Sequence, residues 1–342
     1  MTRAAFLLAL LLAACAPVVV APPAGLRGEP KLEDHRIVAA DGTELPLRLW
    51  QPASGKPWAA AVALHGFNDY RMAFSEVGSE LAERGVAVYA YDQRGFGATS
   101  ARKYWHGSAA MIDDYRTAVA LVRARHPGLP VFAIGESMGG AVVLAAHAQA
   151  SKPSVDGVVL IAPAVWGAST MPLWQTGPLW LFSNTIPWWP LSGAGLPIQP
   201  SDNNAMLRRL SADPLIIKET RVDAILGLVR LMDEGLAAAP NLTGPAIILY
   251  GDADDVVPKR PTCQMIRSLP AAPEGGWRIV LYPEGHHMLT RDLAGREPID
   301  DIVAFMANPA RPVPSAAEID RAESLRAPAL RAEKLCGRFP PG

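Results

Sequence analysis

The stretch Val131-Phe-Ala-Ile-Gly135-Glu136-Ser137-Met138-Gly139-Gly140 constrains this chain more tightly than any other. Apolar, strand-compatible residues run directly into Gly-x-Ser-x-Gly, and a small-residue run, Ala141 to Ala150, follows at helical length. A serine held on so sharp a strand-to-helix turn needs very small neighbours two positions before and after it, here Gly135 and Gly139. The helix starting behind Ser137 then offers unpaired N–H groups and a positive dipole end to developing negative charge. The stretch predicts a buried strand, an activated serine and a helix. It asks the remaining chain for a base, an acid and a second N–H donor.

A length of 342 residues allows one large α/β domain or two ordinary ones. The formal net charge of −1 gives no electrostatic ground for a nucleic-acid partner. The 32 prolines gather near the N-terminus, in the middle and in the C-terminal tail, which reads as loops there. The first residues read as an address. Met1-Thr-Arg3 is followed by an apolar run, Ala4 to Leu12, too short to span a bilayer as a mature helix. It ends in Leu12-Ala13-Ala14-Cys15, which resembles the lipobox of bacterial lipoproteins. The resemblance implies a signal peptide over residues 1–15, lipidation of Cys15, and a place in the bacterial cell envelope. Alanine rather than aspartate at position 16 then implies the outer membrane rather than the inner. The alternative is ordinary secretory cleavage after Ala16, which would leave Pro17 following the cut. Residues 16–33 read as a Pro-rich tether. Export leaves Cys263 and Cys336 as an even pair in an oxidising compartment, so a disulfide between them is one expectation and two unpaired thiols the other.

Beyond the tether, Asp34 to Ala39 and Leu45 to Pro52 predict two strands around the turn signal Asp41-Gly42-Thr43. Trp58 to Leu64, Gly85 to Tyr91, Val155 to Ile161, Ala246 to Tyr250 and Arg278 to Tyr282 are further strands. Helices are expected at Phe74 to Arg84 and from Ser108, as a cap, through Ile112, Tyr115, Val119 and Val122. Buried strands alternating with helices predict a mostly parallel sheet covered on both faces.

Five motifs in order then carry a resemblance: His65-Gly66, Asp92-x-Arg94-Gly95-x-Gly97, Gly135-Glu-Ser137-Met-Gly139-Gly140, Gly251-Asp-Ala-Asp254 and Gly285-His-His287-Met-Leu289. Together they resemble the α/β-hydrolase superfamily, and within it the monoacylglycerol lipase / lysophospholipase group often filed with the S33 serine aminopeptidases. The resemblance implies a twisted, mostly parallel sheet with helices on both faces. It places the hydrolase domain at residues 34–308, a helical cap insertion at about 163–242, and a C-terminal extension at 309–342. A short helix at Ser315 to Leu325 is expected in that extension.

The chemistry can be followed residue by residue. A serine hydroxyl needs an adjacent imidazole to take its proton. His286 and His287 both stand after the last strand, and spacing cannot choose between them. The family pattern assigns His287 and makes His286 a loop residue packed nearby. The imidazole needs a carboxylate on its other nitrogen. Asp252, Asp254 and Asp255 compete, and the family pattern selects Asp254, leaving the other two to bind the loop backbone. The order Ser…Asp…His agrees with this superfamily. Met138 would supply one oxyanion N–H as the residue after the nucleophile, and by resemblance Phe67 the second. His65 and the Asp92-to-Gly97 turn are read as structural. No metal or organic cofactor is implied, and the remaining histidines form no evident ligand cluster.

The cap's first part holds Trp166, Trp174, Trp180, Trp188 and Trp189, five of the chain's nine tryptophans. They are expected to line a broad apolar pocket for an acyl chain near a membrane. A helix from Arg221, capped by Thr220 and Asp223, would set Val222, Ile225, Leu226, Val229 and Met232 on one face to cement the cap. The expected activity is a serine carboxylic-ester hydrolase on monoacylglycerols or lysophospholipids, tethered to a membrane, with no obligate protein partner. The alternatives are an S33-type proline aminopeptidase and a catalytically inactive envelope binding protein.

Overall fold

In the computed structural model, which describes residues 16–23, 25, 28–270, 276–315 and 336, the predicted strands assemble into one nine-stranded sheet. Its strands are β1 (Lys31–Leu32), β2 (Arg36–Val38), β3 (Glu44–Trp50), β4 (Ala59–Leu64), β5 (Val86–Tyr91), β6 (Val131–Glu136), β7 (Gly157–Ile161), β10 (Ala246–Gly251) and β11 (Trp277–Tyr282). A separate two-stranded ribbon in the cap is β8 (Pro190–Ser192) with β9 (Glu219–Arg221). The helices are α1 (Ser75–Glu83), α2 (Ser108–Arg125), α3 (Met138–His147), α4 (Leu173–Thr185), α5 (Asn204–Ala212), α6 (Val222–Ala238), α7 (Lys259–Ser268) and α8 (Arg296–Ala307). The sheet order is β1-β2-β3-β5-β4-β6-β7-β10-β11, antiparallel at the β1–β3 edge and parallel from β5 to β11.

The continuous apolar runs become strands because both of their faces are covered. Every residue of β4, β5, β6, β7 and β10 is buried. One face packs on α2, α3, α6 and α7, the other on α1 and α8. All ten residues of α3 are buried, and this explains its small side chains. The cap helix α6 crosses it so closely that a Cβ on Gly235 would stand 3.2 Å from Ala141. The resulting fold is the α/β-hydrolase arrangement.

Three local expectations are corrected. Lys31–Leu32, within the stretch read as tether, pairs with β2 as an edge strand. Gly107, not Ser108, caps α2, and the Ser108 hydroxyl donates to Glu234 across to the cap. Helix α6 has no side-chain cap: Thr220 accepts from Asn68 Nδ2 at 2.7 Å, and Asp223 is held by Arg221. Asn68, far along the chain, has taken Thr220 from the helix end, and Asp223 is shared between its neighbour Arg221 and the distant Val18 N–H. Cys263 and Cys336 are joined by a disulfide, with Cα atoms 5.5 Å apart. Cys15 and nearly all of the segment Ser315 to Leu325 lie outside the described residues.

Candidate active site

Parallel strands deliver their C-terminal ends to one edge of the sheet, and the candidate residues all leave from that edge. Ser137 follows β6, Asp254 follows β10 and His287 follows β11. Ser137 sits at φ 51°, ψ −115°, a conformation that side chains other than glycine seldom adopt. Its backbone is fixed from both sides: its N–H donates to Ile161 O at 2.9 Å, and its C=O accepts from Ala164 N at 2.9 Å. The turn closes only because its neighbours lack side chains. A Cβ on Gly135 would stand 2.7 Å from Gly139 O, and one on Gly139 2.1 Å from Leu64 O.

His287 and Asp254 are both buried, and His287 Nδ1 lies 2.8 Å from Asp254 Oδ2. The other oxygen, Asp254 Oδ1, accepts from the N–H groups of Val256 and Val257 at 2.8 and 2.9 Å. Those bonds hold the carboxylate in place and aimed at the ring. Burial alone would lower the imidazole's pKa, but the Asp254 charge and hydrogen bond outweigh it and raise it above the ordinary 6.5. With Nδ1 engaged, Nε2 is the nitrogen left to exchange a proton, and among the described residues it has no hydrogen-bond partner, Ser137 Oγ included. Catalytic contacts of this kind commonly tighten only when substrate is bound.

The N–H groups of Phe67 and Met138 are also free of hydrogen bonds among the described residues. The loop carrying Phe67 lies against the nucleophile: a Cβ on Gly66 would stand 3.3 Å from Ser137 Cβ. His65 is bound up in structure. Its Nε2 accepts from Gln93 N at 3.0 Å, so Nδ1 is the protonated nitrogen and donates to Gly66 O at 2.8 Å. Burial, the dominant effect, lowers its pKa and favours this neutral form. The Asp92-to-Gly97 turn is architectural. Asp92 accepts from Arg71 and Ala98 backbone N–H groups at 2.8 Å each, and Arg94 clamps Asp114 and Asp41.

One set of residues escaped the sequence reading. Arg291, buried, donates to Glu136 Oε1 at 2.7 Å and to Asp69 Oδ2 at 2.8 Å. It joins three segments at one point: Glu136 precedes the serine, Asp69 follows the Phe67 turn, and Arg291 follows His287. Glu136 and Asp69 stood inside or beside quoted motifs, but nothing in the sequence paired them with an arginine so far along the chain.

Two expectations about charged neighbours change. Asp252 forms an exposed ion pair with Lys259 at 2.6 Å instead of binding its own loop. His286 is not isolated, because its ring stands with Asp202 and Asp292, their ligand atoms within 4.8 Å of one another. These three could hold a cation. Their carboxylates, however, are already bonded to protein: Asp292 to Ser201 Oγ at 2.6 Å and His286 N at 2.7 Å, Asp202 to Leu293 N at 2.8 Å.

The tryptophans are placed differently from the pocket expectation. Trp166 packs against the core, but Trp174 and Trp180 are 72% and 67% exposed, and Trp188 and Trp189 are exposed as well. A cavity of about 220 Å³ beside the Phe67 loop is lined by Asp69, Tyr70, Met206, Arg209, Asp213 and Arg291 among others, and by none of the five tryptophans. Helix α4 buries only Ser183.

Comparison with known proteins places this geometry among hydrolases. Residues 55–294 match the family described as serine aminopeptidase, S33. A monoacylglycerol lipase of Mycolicibacterium smegmatis is 23% identical over 80% of this chain and 97% of its own length. Human monoglyceride lipase is 27% identical over 75% of this chain and 84% of its own. The crystal structure of a soluble variant of monoglyceride lipase from Saccharomyces cerevisiae superposes with a TM-score of 0.66 at 18% identity, covering 87% of this chain and all of that one. That of the Paleococcus ferrophilus monoacylglycerol lipase gives 0.64 at 21%, covering 78% and 99%.

Proposed function

Because the chain belongs to the serine aminopeptidase S33 family of α/β-hydrolases, we propose that it is a serine carboxylic-ester hydrolase acting on monoacylglycerols. The observation that carries the reading is the pairing of His287 with Asp254 at the same sheet edge as the strained Ser137. His287 Nε2 takes the Ser137 proton as Oγ attacks the ester carbonyl. The Phe67 and Met138 N–H groups receive the negative oxygen of the tetrahedral intermediate, each donor contributing about 10²–10³ in rate. His287 then protonates the departing glycerol oxygen, and water, activated by the same imidazole, releases the fatty acid from the acyl-enzyme. Lysophospholipids present the same ester and belong to the same reading. Lipidation of Cys15 and residence in the bacterial envelope, on the outer membrane, complete it.

Aminopeptidase activity fits the chain less well. The relatives that the chain resembles over most of their length are monoacylglycerol and monoglyceride lipases. Fluorophosphonate labelling of the full chain, beside Ser137→Ala and His287→Ala, tests the nucleophile. Turnover of monooleoylglycerol, lysophosphatidylcholine and prolyl p-nitroanilide then tests the substrate. Labelling lost in both variants and turnover of the glyceride are expected. A folded, unlabelled wild type would favour a binding role, and turnover of the anilide alone would favour the peptidase.

A further inference from the structure

The two N–H groups assigned to the oxyanion stand on different elements. Phe67 follows β4 and Met138 follows β6, and the ladder between these strands last pairs Leu64 with Gly135. Past that pair the sheet no longer fixes how far apart the two donors stand. Contact supplies one limit, because the Gly66 backbone already lies against the Ser137 side chain. It keeps the loops from closing further, but it does not keep them from parting. Only an attraction between the two loops can do that.

Residues 68–70 are bonded to the cap. Asn68 O accepts from Ile217 N–H at 3.0 Å, Asn68 Nδ2 donates to Thr220 Oγ1 at 2.7 Å, and the Tyr70 hydroxyl donates to Asp213 at 2.6 Å. The cavity of about 220 Å³ separates Asp69 from Met206 and Arg209 of α5, so that helix does not press Asp69 toward the serine. Arg291 supplies the bond to the sheet. One terminal nitrogen of its guanidinium donates to Asp69 Oδ2 and the other to Glu136 Oε1, in the residue before Ser137. Asp69 Oδ1 accepts from Tyr70 N–H at 2.8 Å, so the carboxylate moves with the loop backbone. Arg291 N–H donates to Met288 O at 2.7 Å, which fixes the guanidinium to the turn directly behind His287.

As a source of stability the cluster is a poor choice. Glu136 Oε2 and Arg291 Nε are buried with no hydrogen-bond partner among the described residues. Apolar residues of similar volume often match or exceed a buried ion triad in stability. What they cannot supply is a planar fork of fixed geometry between two carboxylates. We infer that Arg291 is a positioning residue for the reaction proposed above: through Asp69 and Glu136 it sets the spacing of the Phe67 and Met138 N–H groups, independently of the cap to which the Phe67 loop is also bonded. The inference rests on the serine-esterase reading of the site. Misplacing such a group by about 1 Å can cost about 10² in rate.

Arg291→Met alone strands two buried carboxylates and mixes stability with positioning, so the test removes all three charges together. The triple variant Asp69→Asn, Glu136→Met, Arg291→Met keeps volume and the oxygen that accepts from Tyr70 N–H. Full-length wild type and variant are compared by denaturation midpoint, by hydrolysis of p-nitrophenyl butyrate, and by affinity for an alkyl trifluoromethyl ketone, whose adduct on Ser137 needs both N–H groups. The triple variant is expected to unfold near the wild-type midpoint while kcat falls by about 10² at unchanged KM, the mark of an interaction made only in the transition state. Ketone affinity should fall in step with kcat. Arg291→Lys keeps the charge without the fork and should lie between the two in kcat with a midpoint near that of wild type. Recovery of kcat together with the midpoint in the triple variant overturns the proposal and makes the cluster structural. Should the triple variant fail to fold, Arg291→Lys decides alone, and a wild-type kcat there overturns the proposal. A folded wild type that neither hydrolyses the ester nor takes the fluorophosphonate overturns the activity, and the positioning role with it. An active wild type beside equally active variants overturns the positioning role alone.

Discussion

Within the cap, residues 173–198 and residues 200–238 follow opposite rules. The second segment is stitched to the catalytic loops. Met288 N–H donates to Pro200 O at 2.8 Å, Ser201 Oγ to Asp292 at 2.6 Å, and Ile217 N–H to Asn68 O at 3.0 Å. Its helix α6 lays Val222, Ala224, Val229, Met232 and Leu236 into the core. The first segment buries little and leaves its aromatic residues outside. The difference teaches that apolar content alone does not say what a segment packs against. The same hydrophobicity cements one half of the cap to the enzyme and leaves most large apolar side chains of the other exposed. Polar bonds to the site separate the two.

The contrast can be broken at graded cost. The largest effect belongs to the site that the second segment encloses. Ser137→Ala should cut kcat by about 10⁴–10⁶ with the fold intact, measured by ester hydrolysis and circular dichroism. Asp254→Asn should follow at about 10⁴, since the imidazole loses both its tautomer and its charge partner. The pH profile sharpens that case. His287 must be neutral to accept a proton and its pKa is raised, so the rate should fall, as pH drops, from a point above the ordinary 6.5. In the Asp254→Asn enzyme the residual activity should persist to lower pH.

Next comes the buried arginine. Arg291→Met strands the Glu136 and Asp69 carboxylates in the interior and should cost about 3–5 kcal/mol by chemical denaturation. The disulfide ranks with or just below it. Cys263 and Cys336 are 73 residues apart, and Cys263→Ser should cost about 2–4 kcal/mol, visible as a lower midpoint that reductant reproduces in the wild type. Smallest of all is the exposed segment. Leu173→Ser or Trp174→Ser should change stability by less than about 0.5 kcal/mol in detergent-free buffer. A loss near that of a core leucine would mean that the first segment is packed after all, and the contrast would collapse.

How far the sequence could be read follows the same division. Patterns that depend on the chain's own neighbours were legible. The apolar runs of β4 to β7 and β10 could only be two-sided strands, and the glycines flanking Ser137 could only serve a turn too tight for a Cβ. Among the histidines and aspartates, spacing alone left alternatives open, and the choice of His287 and Asp254 came from resemblance. The coordinates bring those two side chains together.

Other features depend on what arrives from elsewhere in the chain. Asp223 and Thr220 read as helix caps because their nearest donors in sequence are backbone N–H groups, but Asn68 engages Thr220, and Asp223 is bonded by the distant Val18 N–H as well as by its neighbour Arg221. Arg291 had no local signal, because its partners lie 155 and 222 positions away. The tryptophans read as a pocket because burial is the ordinary fate of aromatic side chains, and only the tertiary structure shows how few neighbours they have. By itself the sequence determined the sheet and the strained serine, since each follows from short-range sterics and periodicity, while the catalytic acid and base came from resemblance. The tertiary structure alone decided which carboxylates share an arginine, which half of the cap is cemented and which face is bare. Those depend on where distant segments meet, which no local pattern encodes.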